Sequence, residues 1–137
     1  MEEKNILIVD DEQFIRDLYS QAFSRAGYKV KTAGSAEEAL DILRKDKYLV
    51  MFLDLNLPGM NGIDLCRQIR KNYPMAITYA VTGNASLFEL SDCRDAGFED
   101  YFIKPVKLSV LFEAADSAFK KLERWKNNNS SSKLHSK

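Results

Sequence analysis

Segments with strand-like and helix-like patterns alternate along this chain, and the alternation limits its possible folds more than any other feature of the sequence. Two apolar runs, ILIV at 6–9 and LVMFL at 49–53, are typical of strands buried on both faces. The run YKVKT at 28–32 alternates between apolar and polar side chains, which is typical of a half-exposed edge strand. Two further strands are predicted at 76–81 and 101–103, and a helix is predicted after each of the five strands.

Five strand–helix units in one chain predict an α/β fold in which a parallel sheet carries helices on both faces. The second strand has the pattern of an edge, whereas the first and third have the pattern of central strands. The expected fold is therefore a doubly wound, five-stranded parallel sheet with the strand order 2-1-3-4-5, of the flavodoxin-like type.

Local signals place the ends of the predicted helices. Gly27 and Gly97 are stop signals for the first and fourth helices, the latter predicted at 85–96. The sequence SAEE at 35–38 is a capping box that opens the second helix. Asn61 is the expected N-cap of the third helix.

The final helix is predicted to run from Lys107 to about Trp125, which completes one domain over 1–125. The segment 126–137 is polar and rich in Asn and Ser, so we expect it to be a tail or linker without ordered structure.

The composition argues against several classes of protein. Lys+Arg and Asp+Glu each number 20, so the formal net charge is zero, and direct nucleic-acid binding is not expected. No apolar run approaches the roughly 20 residues of a membrane span, and the acidic N-terminal segment does not resemble a signal peptide. Cys66 and Cys93 are too few and too isolated for a disulfide framework. We expect two reduced packing thiols in a cytoplasmic protein.

Polar residues follow four of the predicted strands, at the ends where ligands bind in open α/β sheets. Asp10 and Asp11 follow the first strand, Asp54 the third, Thr82 the fourth and Lys104 the fifth. Each has a structural alternative, since the acids and Thr82 could cap helices and Lys104 could be a solvated charge. The carboxyl ends of parallel strands meet at one edge, however, and this convergence favours a functional site.

Repulsion among the carboxylates at this edge predicts a cation between them. Oxygen ligands without His or Cys favour a hard ion, which we expect to be Mg²⁺. A divalent ion, the Lys104 ammonium and the Thr82 hydroxyl around one acid would stabilise a phosphoryl group during transfer. Asp54 is therefore the candidate nucleophile for an aspartyl phosphate.

Four motifs resemble the receiver domain of two-component response regulators, including the chemotaxis regulators. They occur in the family's order: IVDDE at 8–12, FLDLNLPGMNG at 52–62, AVTGNA at 80–85 and YFIKPV at 101–106. The resemblance covers about residues 4–122 of the chain.

The resemblance implies a phosphoacceptor and a metal site. Asp54 would be the phosphoacceptor. Asp11, Asp54 and the backbone carbonyl of Asn56 would bind Mg²⁺ directly, and Asp10 would hold a metal-bound water.

The resemblance also implies how the phosphoryl group is held and sensed. Thr82 and Lys104 would contact the phosphoryl oxygens, and Thr82 and Tyr101 would form the switch. The Lys104–Pro105 peptide bond would be cis and would turn Lys104 toward the site.

The implied phosphoryl donor is a sensor histidine kinase or a histidine phosphotransfer protein, and the implied target is a downstream protein or effector domain. The fourth helix, fifth strand and fifth helix would form the partner surface, and a homodimer through this surface is a further expectation. The sequence leaves open whether the chain is a stand-alone receiver or the N-terminal receiver of a longer protein.

Other functions remain as alternatives. An Asp/Mg²⁺-dependent small-molecule phosphatase or phosphotransferase of the haloacid dehalogenase type would need an Asp-x-Asp element on the first strand and a cap insertion. A flavodoxin-like cofactor binder would need a Ser/Thr/Gly-rich loop where this chain has the acidic 10–12. A degenerate receiver that only binds partners conflicts with the complete set of site residues. We expect no enzyme activity beyond self-catalysed phosphotransfer and autodephosphorylation.

Overall fold

A computed structural model of this chain describes residues 3–83 and 86–135, with the side chains at 87, 88 and 129–135 left outside the description. Its elements are β1 (Asn5–Val9), α1 (Gln13–Arg25), β2 (Lys29–Ala33), α2 (Ala36–Lys45), β3 (Val50–Leu53), α3 (Gly62–Asn72), β4 (Ile77–Thr82), α4 (Leu87–Ala96), β5 (Asp100–Ile103) and α5 (Leu108–His135). The strands form one parallel sheet in the order β2-β1-β3-β4-β5, which confirms the predicted fold class and topology.

Successive side chains of the central strands enter two cores on opposite faces of the sheet. Leu7 and Val9 of β1 pack in the core that α2 and α3 cover. Ile6 and Ile8 pack in the core that α1 and α5 cover. Each fully buried aliphatic side chain stabilises the fold by about 1.5–3 kcal/mol relative to an exposed one. The edge strand β2 alternates between exposed and more buried residues, as predicted.

The helix signals in the sequence are confirmed. Gly27 and Gly97 have positive φ angles of 98° and 102°, which glycine adopts without the strain of a side chain. Ser35 Oγ accepts a hydrogen bond from the backbone N–H three residues later at 3.2 Å, and Asn61 Oδ1 does the same at 2.9 Å. These caps fix where α2 and α3 begin.

Helix α4 begins slightly later than predicted. Its N-cap is Ser86, whose Oγ accepts a hydrogen bond from Glu89 N–H at 3.2 Å. The predicted start at residue 85 lies outside the described residues.

Helix α5 is longer than predicted, because it continues to His135 instead of ending near Trp125. Neither Gly nor Pro follows Pro105 in the sequence, so no strong helix breaker ends α5. The division into a domain at 1–125 and a tail at 126–137 remains a prediction. None of the described helices combines the length and apolar character needed to cross a membrane.

The two cysteines are free, buried thiols on α3 and α4, as predicted. Cys66 Sγ lies 3.3 Å from Thr78 Oγ1. Burial raises the pKa of the Cys66 thiol. Burial also raises the pKa of the Cys93 thiol to about 11. The neutral thiol is therefore the form that the folded protein favours at both positions.

We expect the free energy of unfolding to fall as the pH rises from about 9 to about 11. The folded pKa of Cys93 is about 11, against an ordinary value of 9.0. Below the ordinary value the thiol is protonated in both states, and its contribution to stability is complete. Between the two values the unfolded chain loses the proton first, so rising pH favours unfolding.

Urea unfolding of the wild type and of Cys93→Ala at pH 7.5, 9 and 10.5 measures this contribution. The wild type should lose about 1–2 kcal/mol more than the variant by the highest pH. Parallel loss of stability in the two proteins would show that Cys93 does not titrate in this way.

Candidate functional site

The backbone hydrogen bonds of the sheet continue past the strand ends and fix the first residues beyond them. Asp10 N–H donates to the last carbonyl of β2 at 3.0 Å, and Asp54 N–H donates to the last carbonyl of β1 at 2.9 Å. Lys104 N–H donates to the last carbonyl of β4 at 2.8 Å. Three predicted site residues therefore start from positions that the sheet itself holds rigid.

The Lys104 ammonium joins the two buried acids of this edge. Its Nζ lies 2.7 Å from Asp10 Oδ2 and 3.3 Å from Asp54 Oδ2. The side chains are only 16%, 4% and 6% exposed for Lys104, Asp10 and Asp54, so both salt bridges are shielded from water. The Lys104–Pro105 peptide bond is cis, as predicted.

The electrostatic balance of the cluster favours a charged lysine more than a charged Asp54. Burial raises the pKa of Asp54, and the Asn56 N–H and Lys104 oppose this shift without cancelling it. Burial alone would lower the pKa of Lys104. The hydrogen bond and charge of Asp10, together with Asp54, instead raise it above its ordinary value. Lys104 therefore remains an ammonium at neutral pH.

Asp10 is held from several directions. Its Oδ1 accepts a hydrogen bond from Glu12 N–H at 2.9 Å, and its backbone carbonyl accepts one from Arg16 at 2.7 Å. Carboxylate oxygens of Asp10, Asp11 and Glu12 all lie within 4.8 Å of one another. The structure thus groups Asp10 and Asp11 as predicted, and it adds Glu12, to which the sequence assigned no role. The sequence feature that could have indicated Glu12 is its position as the third of three consecutive acidic residues.

The donor set fits a hard divalent cation. Asp10, Asp11, Glu12 and Asp54 bring four carboxylates to this edge, and Lys104 brings one ammonium. All of the candidate donors are oxygens, which Mg²⁺ prefers, and the excess of negative charge would be offset by such an ion. The predicted ligand set, which includes the Asn56 carbonyl, remains a prediction.

Asn56 contacts two of the other site residues. Its backbone N–H donates to Asp54 Oδ1 at 3.1 Å, and its side-chain Nδ2 donates to Thr82 Oγ1 at 3.3 Å. Thr82 is fully buried. The sequence predicted a role for the Asn56 carbonyl only. The local sequence pattern does not indicate the side-chain contact, because Asn56 and Thr82 are 26 positions apart in the chain.

The start of α3 lies against the backbone of the candidate nucleophile. A Cβ atom at Gly62 would lie 2.1 Å from the Asp54 carbonyl oxygen and 2.8 Å from Leu55 Cα, and neither distance is tolerable. Gly62 N–H also donates to Leu55 O at 3.0 Å. The absence of a side chain at Gly62 therefore allows the loop after β3 to return beside Asp54.

The structure does not bring Tyr101 into the acid cluster. Tyr101 lies on β5 with 43% of its surface exposed, beside a groove whose lining includes Leu90, Arg94 and Phe98. Its position on an exposed surface is the one that a switch residue contacting a partner requires. The prediction of its role remains untested by the structure.

Comparison with known proteins places these features in a family. The family model of the response regulator receiver domain matches residues 6–116. The transcriptional regulatory protein AfsQ1 of Streptomyces coelicolor is 30% identical over 120 residues, which cover 88% of this chain and 53% of that protein. The response regulator MprA of Mycolicibacterium vanbaalenii is 34% identical over 106 residues, which cover 77% of this chain and 46% of that protein.

Solved structures show the same similarity. A CheY-like response regulator receiver domain protein from Methanospirillum hungatei has a TM-score of 0.87 at 32% identity, covering 90% of this chain and 98% of that one. A receiver domain from Clostridium thermocellum has a TM-score of 0.83 at 28% identity, covering 88% and 98%. The chain spans about half the length of the curated relatives that it matches. The alternative of a small-molecule phosphatase finds no support in these comparisons.

We expect Gly62→Ala to destabilise the protein by about 1–3 kcal/mol or more, because the added methyl group must displace the Asp54 backbone. Urea unfolding measures the change. Gly83→Ala is the matched control, since a Cβ there meets nothing within 4 Å and the residue adjoins the same edge of the sheet. Equal stability of Gly62→Ala and the wild type would contradict the close approach seen here.

Proposed function

We propose that this chain, which belongs to the family of response regulator receiver domains, is a signalling switch that accepts a phosphoryl group on Asp54. The observation that carries the proposal is the pair of salt bridges from Lys104 to Asp10 and Asp54 at the carboxyl edge of the sheet. The donor is the phosphohistidine of a sensor histidine kinase or histidine phosphotransfer protein. The chain is a signalling domain rather than a classical enzyme.

The chemistry at Asp54 is a displacement at phosphorus. A carboxylate oxygen of Asp54 forms the new P–O bond as the P–N bond to the donor imidazole breaks, and the imidazole nitrogen keeps the electron pair. Lys104 already contacts Asp54 Oδ2, so its ammonium lies close enough to bind a phosphoryl oxygen there. The Thr82 hydroxyl donates to another phosphoryl oxygen.

Mg²⁺ is the proposed cofactor, held by Asp10, Asp11, Asp54 and the backbone carbonyl of Asn56. When bound, it would neutralise charge on the transferred phosphoryl group. The presence of four carboxylates and one ammonium at this edge supports the assignment.

Exposed apolar side chains support two partner surfaces. Phe14 and Leu18, one turn apart on α1, are 74% and 41% exposed next to the acidic segment, where a donor protein would approach. Tyr101 and Ile103 of β5 are 43% and 45% exposed. We call the surface of α4, β5 and α5 the output surface. A downstream protein, an effector domain or a second copy would bind there.

The cytoplasm is the proposed compartment. Cys66 and Cys93 are both free thiols in the structure. Free thiols are typical of proteins that work in a reducing compartment.

Phosphorylation reaches the output surface through Thr82 and Tyr101. The added group brings about −1.5 to −2 charges and strong acceptor oxygens. The Thr82 side chain moves toward them, and Tyr101 on the neighbouring strand turns inward to the vacated space. The phosphoryl group thereby shifts a two-state equilibrium by its different contacts in the two states.

Asp54→Asn should abolish phosphorylation by acetyl phosphate in the presence of Mg²⁺, because the amide is not a nucleophile for this reaction. Intact-mass measurement of phosphoryl uptake checks this expectation. Chelation of the metal should abolish wild-type uptake as well.

Asp64→Asn is the matched control, since Asp64 is half-exposed at the start of α3 and pairs only with Arg67 among the described residues. It should be labelled like the wild type. Labelling of Asp54→Asn at the wild-type rate would refute the assignment of the phosphoacceptor.

Thr82→Ala should still accept a phosphoryl group on Asp54 but lose most of the response at Tyr101. The switch mechanism needs the Thr82 hydroxyl as its link, and a typical coupling of about 1–3 kcal/mol would shift the populations by roughly 5- to 150-fold. Amide chemical shifts around Tyr101, recorded with and without beryllium fluoride, report the response. Thr32→Ala on the edge strand is the control. The full wild-type shifts in Thr82→Ala would exclude Thr82 as the link.

A further inference from the structure

The side chain of Arg16 reaches back from α1 to the turn that carries the adjacent acids. Its Nη1 donates to the backbone carbonyl of Asp10 at 2.7 Å, and the contact is partly buried. That carbonyl belongs to the peptide group that joins Asp10 to Asp11. A charged donor makes a hydrogen bond roughly twice as strong as a neutral donor does. Arg16 therefore holds the peptide between two of the proposed ligands of the cation.

A second contact orients the guanidinium group. Nη2 of Arg16 donates to Gln13 Oε1 at 3.1 Å, and Gln13 Nε2 donates in turn to Asp17 Oδ1 at 3.3 Å. The planar fork of Arg16 is thus bound at two points, one on α1 and the other at the Asp10 carbonyl. This arrangement gives the guanidinium a defined direction, which a single contact of a flexible side chain would not.

The close approach of Arg16 makes use of the glycine that follows β2. A Cβ atom at Gly34 would lie 3.2 Å from Arg16 Nη1 and 3.5 Å from its Cζ, and the shorter distance is tighter than an ordinary van der Waals contact. Gly34 does not have a positive φ angle, so its φ angle gives no reason for a glycine. The absence of a side chain at Gly34 leaves room for the guanidinium instead.

The stability of α1 does not explain a cation at this position. Arg16 is the fourth residue of α1 and completes its first turn. The N-terminal turn of a helix carries a partial positive charge, so a cation there is unfavourable. The contact with the Asp10 carbonyl offsets this repulsion.

The other contacts of Asp10 act on different atoms. Its N–H donates to the last carbonyl of β2, and its two carboxylate oxygens accept from Glu12 N–H and from Lys104. These bonds hold Asp10 itself, and the bond from Arg16 holds the peptide that follows. Asp11 is exposed, so the direction of its carboxylate depends on that peptide.

We propose that Arg16 is a positioning residue for the divalent cation, and that its hydrogen bond to the Asp10 carbonyl holds the Asp10 and Asp11 carboxylates at the spacing that binds the cation. This inference rests on the proposed function, in which these acids hold Mg²⁺. It assigns a task to a residue of α1 that lies outside the four site motifs of the sequence.

The charge of Arg16 alone would have the opposite effect. A guanidinium beside a cation site repels the cation, so its removal should strengthen Mg²⁺ binding. Loss of the hydrogen bond should weaken binding, because groups that orient metal ligands typically contribute about 10- to 100-fold to metal affinity. The sign of the change therefore separates the two roles.

The variants Arg16→Met and Arg16→Gln test this role, because both remove the guanidinium and neither side chain can form the same fork. Arg25→Met is the matched control, since it removes the same charge from the last turn of α1, roughly 13 Å along the helix axis from Arg16. Thermal unfolding records the stability of each variant and shows that it is folded at the temperature of the measurements.

Two measurements are made on each protein. The first is a Mg²⁺ titration of the unphosphorylated protein, followed by the amide chemical shifts of Asp11 and Asp54. The second is the initial rate of phosphoryl uptake from acetyl phosphate over a series of Mg²⁺ concentrations. The Arg16 variants should bind Mg²⁺ about 10-fold more weakly and need about 10-fold more of it for the half-maximal rate. Their rate at saturating Mg²⁺ should stay near that of the wild type, and Arg25→Met should match the wild type in both measurements.

Each contrary result overturns the inference. Tighter Mg²⁺ binding by the Arg16 variants would show that Arg16 acts through its charge. Unchanged Mg²⁺ binding with a lower melting temperature would show a purely structural role. A lower rate at saturating Mg²⁺ with an unchanged half-maximal concentration would show an effect on a later step. These three results would leave the proposed function intact, whereas failure of the wild type to bind Mg²⁺ would overturn the proposed cofactor and this inference together.

Discussion

The salt bridges of Lys104 are the interaction on which the rest of the site depends. They join residues that are 94 and 50 positions apart in the sequence, at the ends of β1, β3 and β5. Strand β4 lies between β3 and β5, so Lys104 reaches Asp54 across the end of β4, where Thr82 is the last residue. The strand order 2-1-3-4-5 therefore determines which side chains surround Asp54.

Burial of the two acids lowers the free energy of unfolding, and the two hydrophobic cores offset this cost. Asp10 and Asp54 are like charges in a poorly hydrated place, and one ammonium offsets only part of their repulsion. The raised pKa of Asp54 records the remaining cost. Such groups are retained where chemistry needs them, because replacement by apolar residues would often stabilise the fold. The buried strands on either side keep the carboxylates in place despite the repulsion.

Backbone periodicity and strand-end chemistry made most of the fold and much of the site predictable. The edge pattern of β2, the caps at Ser35 and Asn61 and the stops at Gly27 and Gly97 each depend on a few neighbouring residues. The length of α5 was not predictable in the same way, because its polar end carries neither a breaker nor a strong helix signal.

Contacts between side chains that are far apart in the sequence could not be predicted, for a different reason. The link from Asn56 to Thr82 depends on rotamers and on a distance across the sheet, which no local pattern records.

The link from Asn56 to Thr82 also bears on how a phosphoryl group would be recognised. A hydroxyl can accept two hydrogen bonds and donate one. Asn56 Nδ2 donates to Thr82 Oγ1, which occupies one acceptor position of the oxygen. The same residue donates its backbone N–H to Asp54 Oδ1. Asn56 therefore contacts both the Thr82 hydroxyl and the Asp54 carboxylate. Thr82 is fully buried at the end of an interior strand, so any movement of Thr82 toward a phosphoryl group would have to be a movement of its side chain within the close-packed sheet.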